Sequence, residues 1–255
     1  MRRLAPLFLL TASACIGTSH ECENIIQEVR VHSTDASIPE YVDTYPSSFG
    51  LPATALGGTQ RFRADYLSCD ATTPMMLSSV RADDPQRATL TLTSSSTFDF
   101  TPLSPGAATI TVSGNLGSTS EALHAAAIDH VALVGQELGE PGAFYVGAPL
   151  AMIQLLDSSG APLVDRNVSI VSGAFQLGDA WNHLALGSMP AGQYSLAVNA
   201  GGQAWPLDVT LVDHLTGVIP EKENVTGVTN EPTDVCFFAY LGPVLVAGVP
   251  WQFSF

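Results

Sequence analysis

Pro105-Gly106-Ala107-Ala108-Thr109-Ile110-Thr111-Val112 and Ala191-Gly192-Gln193-Tyr194-Ser195-Leu196-Ala197-Val198 are two versions of one segment, with their glycines, Gly106 and Gly192, 86 positions apart. In each, a glycine turn leads into residues that alternate small or polar with apolar, the period of a strand with one buried face. A second pair, Gly160-Ala161-Pro162-Leu163-Val164 and Gly242-Pro243-Val244-Leu245-Val246, repeats at an offset of 82. Self-similarity at this spacing makes the chain an array of units, and the period is close to the roughly 100 residues of a single β-sandwich domain.

Working outward, the same alternation recurs. Val29 and Val31 alternate with Arg30 and His32, Phe62, Ala64 and Tyr66 with Arg61, Arg63 and Asp65, and Leu90 and Leu92 with Thr89, Thr91 and Thr93. Gly, Pro, Asp and Ser punctuate these runs, and no amphipathic helix interrupts them. The fold class expected is all-β, tandem sandwiches of antiparallel sheets with one solvated face. The boundaries expected are a sandwich over 24–129, a second over 130–215, and, from 216 to 255, either a partial third repeat or C-terminal strands packing on the second domain. About 40 residues cannot bury a sandwich core alone.

In the first unit, Gly57-Gly58-Thr59-Gln60-Arg61-Phe62-Arg63-Ala64 and the Pro105–Val112 segment resemble the bacterial immunoglobulin-like domains of surface proteins. In the second, the matching pieces are Asp157-Ser158-Ser159-Gly160-Ala161-Pro162-Leu163-Val164 and Met189-Pro190-Ala191-Gly192-Gln193-Tyr194. The first of these reads as a hairpin turn, and Gly192-x-Tyr194 has the spacing of a tyrosine corner. The resemblance implies protein or carbohydrate contacts through loops and edge strands, and names no residue for them.

The N-terminus reads as an export signal. Arg2 and Arg3 precede the apolar run Leu4–Leu10, and Thr11-Ala12-Ser13-Ala14 leads into Cys15. That is a charged region, a short apolar region and a small-residue cleavage site, too short to span a bilayer, which takes roughly 20 apolar residues. Two cleavage readings fit. Ala12-Ser13-Ala14 satisfies the A-x-A rule, and the segment also resembles a lipobox, with Ala12 in place of the usual Leu. The lipobox reading implies a signal peptide of 1–14, lipidation of Cys15, a tether over 15–23 and an outer-membrane destination, with the lipid as membrane partner. Periplasmic or secreted export is the alternative.

Removing Arg2 and Arg3 leaves 7 basic against 24 acidic side chains. This excess disfavours nucleic acid as a partner and reads as a solubilising surface. With Cys15 assigned to lipid, Cys22, Cys69 and Cys236 remain. If Glu28–His32 and Thr59–Leu67 are antiparallel neighbours, Cys22 and Cys69 lie close, and a disulfide between them would stabilise the domain by roughly 4 kcal/mol.

Chemistry is sparse. His20, His32, His124, His130, His183 and His214 show no H-E-x-x-H or H-x-H spacing, and no nucleophile elbow, phosphate loop or dinucleotide fingerprint is present. No cofactor and no metal site is expected. Asp83, Asp84, Asp157, Asp165 and Asp179 read as turn residues bonding their own backbone, with calcium held between sandwiches as the alternative. Ser33–Leu56 is long for a loop and carries Tyr41, Tyr45 and Phe49, either as a binding loop or as a flap over the sandwich edge. Three functions stay open: a non-enzymatic, lipid-anchored envelope module acting as spacer, adhesin or assembly component; a hydrolase or metal-dependent ligand-binding protein with a dispersed site; and an appendage of a catalytic domain outside this chain.

Overall fold

The computed structural model describes residues 28–35, 52–68, 71–115, 117–135, 141–148, 150–178, 182–187, 189–220 and 237–249. The first unit is built from β1 (Glu28–Ser33), β2 (Thr54–Ala55), β3 (Gln60–Ser68), β4 (Ala71–Pro74), β5 (Leu77–Ala82), β6 (Ala88–Leu92), β7 (Thr97–Pro102), β8 (Gly106–Gly114) and β9 (Gly117–Ala126). The second contains β10 (His130–Val134), β11 (Ala143–Tyr145), β12 (Leu150–Leu156), β13 (Pro162–Leu163), β14 (Ser169–Ser172), β15 (Gln176–Leu177), β16 (His183–Ala185), β17 (Gly192–Ala200) and β18 (Gln203–Val212). Three further strands follow, β19 (Gly217–Pro220), β20 (Phe237–Leu241) and β21 (Val244–Ala247).

Strand order identifies the architecture. In the first unit one sheet runs β1-β3-β7-β6, with β4 also on β3, and the other runs β2-β9-β8-β5. Numbered by position along the unit, these are strands A, B, E and D against C, F and G, the immunoglobulin arrangement; β2 is an A′ strand, parallel to the last strand β9. The second unit repeats it, with β10-β12-β16-β15 and β13 in one sheet and β14-β17-β18-β11 in the other, β11 again parallel to the last strand. The chain is all-β, with tandem immunoglobulin-like sandwiches.

The repeats found in the sequence fall on equivalent strands. Pro105–Val112 and Ala191–Val198 enter β8 and β17, the F strands. The alternating residues fill the first core, where Phe62, Phe98, Phe100, Ile110 and Val112 are fully buried. Phe62 lies opposite Phe98 in the ladder, with ring centroids 5.7 Å apart and near-parallel, while Phe100 meets Phe62 edge-on at 6.2 Å. Both geometries suit the ring quadrupole. The second core gathers Ile153, Leu155, Leu184, Leu186, Val198 and Val209.

Tyr194 forms the expected corner, its hydroxyl donating to the Pro190 carbonyl at 2.7 Å while its ring packs edge-on against Phe175. Asp157 shapes the expected hairpin turn. Its Oδ1 accepts from the Ser159 hydroxyl and from the N–H groups of Ser159 and Ala161, which holds its carboxyl below the usual range.

One expectation needs correction. Ser33–Leu56 is not one loop, because Ser33 ends β1 and Thr54–Ala55 form the A′ strand. A two-residue strand bounded by Pro52 and Gly57 carries no periodicity to read. In β20 only Ala239 is buried. Tyr194→Phe removes one hydrogen bond and leaves the ring packing; unfolding of the second sandwich in urea should show a loss of about 1 kcal/mol.

Candidate functional site: the joint between the sandwiches

The two sandwiches meet where the A′ strand of the first lies along a segment of the second. Thr54 bridges Val164 in parallel, with Ala55 N–H donating to the Val164 carbonyl at 2.9 Å and Val164 N–H donating to the Ala53 carbonyl at 3.0 Å. Thr54 also donates its hydroxyl to Gln60 Oε1 at 2.6 Å, and Gln60 Nε2 donates to Ser33 Oγ, so this fully buried amide ties β1, β2 and β3 together.

Asp165, next after Val164, is 1% exposed. Its Oδ1 accepts from the N–H groups of Thr59 at 3.1 Å and Asn167 at 2.9 Å, and its Oδ2 from Gly201 N–H at 2.8 Å. The bond to Asn167 is the expected turn bond to its own backbone. The other two come from the first sandwich and from the β17–β18 hairpin, and sequence proximity gave no sign of them. Arg166 extends the contact, its N–H donating to the Thr59 carbonyl and its guanidinium to Asp99 Oδ1 at 3.2 Å. Asp99 is held from the other side by Arg61, which donates from both Nε and Nη2. Asp35 completes the group by accepting Arg61 N–H at 2.7 Å. Burial pushes the Asp35 carboxyl above its ordinary range, opposed by that N–H and by the Arg166 charge.

Close backbone contact requires glycine here. Gly57 has φ +77°, and a Cβ on it would stand 2.5 Å from the Gly201 carbonyl oxygen; a Cβ on Gly58 would stand 2.6 Å from the Asp165 carboxyl carbon. The connection between the units is also bonded, since Asp129 N–H donates to the Leu156 carbonyl. Beside the joint lies a cleft of about 270 Å³ lined by Leu56, Ala127, Ile128, Gln203 and Trp205 with the backbone of Gly57 and Gly201. It falls short of the ~300–1,000 Å³ of typical ligand pockets, and no titratable side chain lines it.

Among the described residues the histidines do not converge. His32, His124, His130 and His183 stand on β1, β9, β10 and β16. His32 lies 3.3 Å from Asp65, which Arg63 also holds, and burial lowers the His32 pKa against the pull of Asp65. His130 and His214 pair with their neighbours Asp129 and Asp213. Among the described residues no three metal-binding side chains come together, and Asp165, weighed above as a calcium carboxylate, is occupied by backbone donors. Cys15, Cys22, Cys69, Cys236, Tyr41, Tyr45, Phe49 and Asp179 lie outside the described residues.

No protein-family model matches the chain, and no curated protein matches it. Solved structures do. Domains 5–6 of the S-layer protein SbsC are 14% identical, with a TM-score of 0.34 over 74% of this chain and 98% of that one. Domains 1–6 of the same protein give 14% and 0.37 over 82% and 26%. Titin immunoglobulin tandem A164–A165 gives 10% and 0.22 over 64% and 91%.

Asp165→Ala strands the N–H groups of Thr59 and Gly201 in a buried contact. The loss should be roughly 3 kcal/mol, since one unsatisfied buried group costs about 1–3 kcal/mol. Chemical unfolding of the variant against the parent chain measures it, and an unchanged midpoint would mean that water serves these donors equally well.

Proposed function

We propose that the chain is an exported, non-enzymatic component of a cell envelope whose immunoglobulin-like units act as a stiff spacer. The observation that carries this reading is the joint. Its charged and polar groups are used up in holding one sandwich on the next, and its glycines are placed for contact between the units. Tandem units usually meet through modest, polar surfaces that permit relative motion. Here a parallel bridge, a buried carboxylate bonded from both sides and a three-residue connection, 127–129, act together.

The segment Arg2–Cys15 supports export, and its lipobox-like end supports anchoring through Cys15. Edge strands and loops would supply any protein or carbohydrate contact.

Two measurements test the reading. Backbone ¹⁵N relaxation on the mature chain should give both sandwiches one rotational correlation time, and Gly57→Val should separate the two values; distinct values in the parent chain would refute the stiff joint. Mass spectrometry of the mature N-terminus after membrane fractionation should find an acylated Cys15, whereas an unmodified Cys15 in the soluble fraction would remove the anchor from the proposal.

A further inference from the structure

We propose that β19, β20 and β21 are the opening strands of a third immunoglobulin-like unit, and that the A′ edge of each unit is a docking edge for the unit that follows. This deepens the spacer reading and rests on it by naming what the free A′ edge of a unit binds.

The three sets of strands share one register. Each unit opens with a meander of three antiparallel strands, β1-β3-β4, β10-β12-β13 and β19-β20-β21. Across them the aligned residues are Val29, Tyr66 and Thr73 in the first, Val131, Leu155 and Leu163 in the second, and Val218, Ala239 and Val246 in the last. The central residue is buried in all three, Tyr66, Leu155 and Ala239. The Gly160–Val164 and Gly242–Val246 repeat covers the third strand of this meander and the turn before it, but the ladders shift it by one place, aligning Leu163 with Val246 rather than with Leu245.

The two joints also correspond. In the first joint Thr54 of the A′ strand faces Val164, the residue after Leu163, in parallel. In the second, Phe144 of the A′ strand β11 faces Ala247, the residue after Val246, also in parallel. The turns that follow the A′ strands agree bond for bond. Leu56 N–H donates to the Ala126 carbonyl and Val146 N–H to that of Val212, while Gly58 N–H donates to Ala55 and Ala148 N–H to Tyr145. Gly57 and Gly147 occupy the same turn position with φ +77° and +82°.

The contact after the bridge is made with small and large exchanged. In the first joint Gly58 leaves room for Asp165. In the second the counterparts are Ala148 and Gly248, and a Cβ on Gly248 would stand 2.4 Å from the Ala148 Cβ. The chemistry agrees, because Asp165 needs the N–H of Thr59, whereas the residue after Ala148 is Pro149, which has none. In the first unit the position of Val164 is Pro74, opposite Asp65, which cannot donate as Val164 does to Ala53. A proline at this place closes a sheet edge to pairing, so Pro74 cannot bond an A′ strand as Val164 does.

The test is hydrogen exchange by mass spectrometry on the full mature chain carrying Gly248→Ala or Gly248→Leu, with Gly58→Leu as the equivalent change in the first joint. The expected result is faster exchange in Ala143–Val146 and Val244–Ala247, by about tenfold or more for leucine and less for alanine, with β17, β18 and the first sandwich unchanged. Gly58→Leu should open 53–56 in the same way. Unchanged exchange in β11 and β21 would overturn the docking edge. Loss of protection throughout β17 and β18 in both Gly248 variants would show that β19–β21 belong to the core of the second sandwich. Neither outcome bears on the correlation times of the two sandwiches or on the state of Cys15, so the spacer reading stands or falls separately.

Discussion

A carboxylate taken out of water must be repaid by donors, and at Asp165 those donors come from both sandwiches. Buried charge is tolerated where hydrogen bonds replace hydration and is costly where they are missing. Oδ1 needs Thr59 of the first unit, and Oδ2 needs Gly201 of the second. Because the Thr59 bond spans the joint, docking in a different rotation would leave part of the charge unsatisfied. The glycines at 57, 58 and 201 follow from this requirement, since the backbone must come close enough for its N–H groups to reach the carboxylate.

The fold was legible where a strand buries one face, because period-two alternation is written directly in residues such as Phe62, Ala64, Ile110 and Val112. The tyrosine corner was legible because its bond spans four residues, Tyr194 to Pro190. The joint was legible only in fragments. Gly57-Gly58-Thr59 stood out as the start of a strand and Asp165 as a turn residue, and both statements are true of local structure. What joins them is a contact between residues 106 positions apart, and a two-residue A′ strand is too short for any pattern. Long-range pairing of short segments leaves no periodic trace.

The A′ strands also explain how the array manages its edges. An immunoglobulin sheet ends in strands with unpaired backbone groups, which invite aggregation. In the second unit the outer edge of β11 is occupied by β21, extending that sheet to seven strands. In the first, the outer edge of β2 meets Val164. The hazard is thus turned into the means of stacking one unit on the next, as in repeat proteins whose stability resides in nearest-neighbour contacts.

Stiffness follows from the number of independent constraints on one joint. A three-residue connection alone leaves the bend and twist between units free. The bond from Asp129 N–H to Leu156 fixes one end of that connection to the second sandwich. The parallel bridge at Thr54 and Val164 is a second attachment, and the Arg61–Asp99–Arg166 group a third, on the outer face of the ladder between β3 and β7. Separate attachments at the connection, at the bridge and at the charge group together oppose bend and twist. Arg61, Asp99 and Arg166 are partly buried but still reach solvent, so their ion pairs contribute only modest energy on their own. Their value is geometric: they hold the orientation in which Asp165 reaches its donors, and the buried carboxylate supplies the penalty for leaving it.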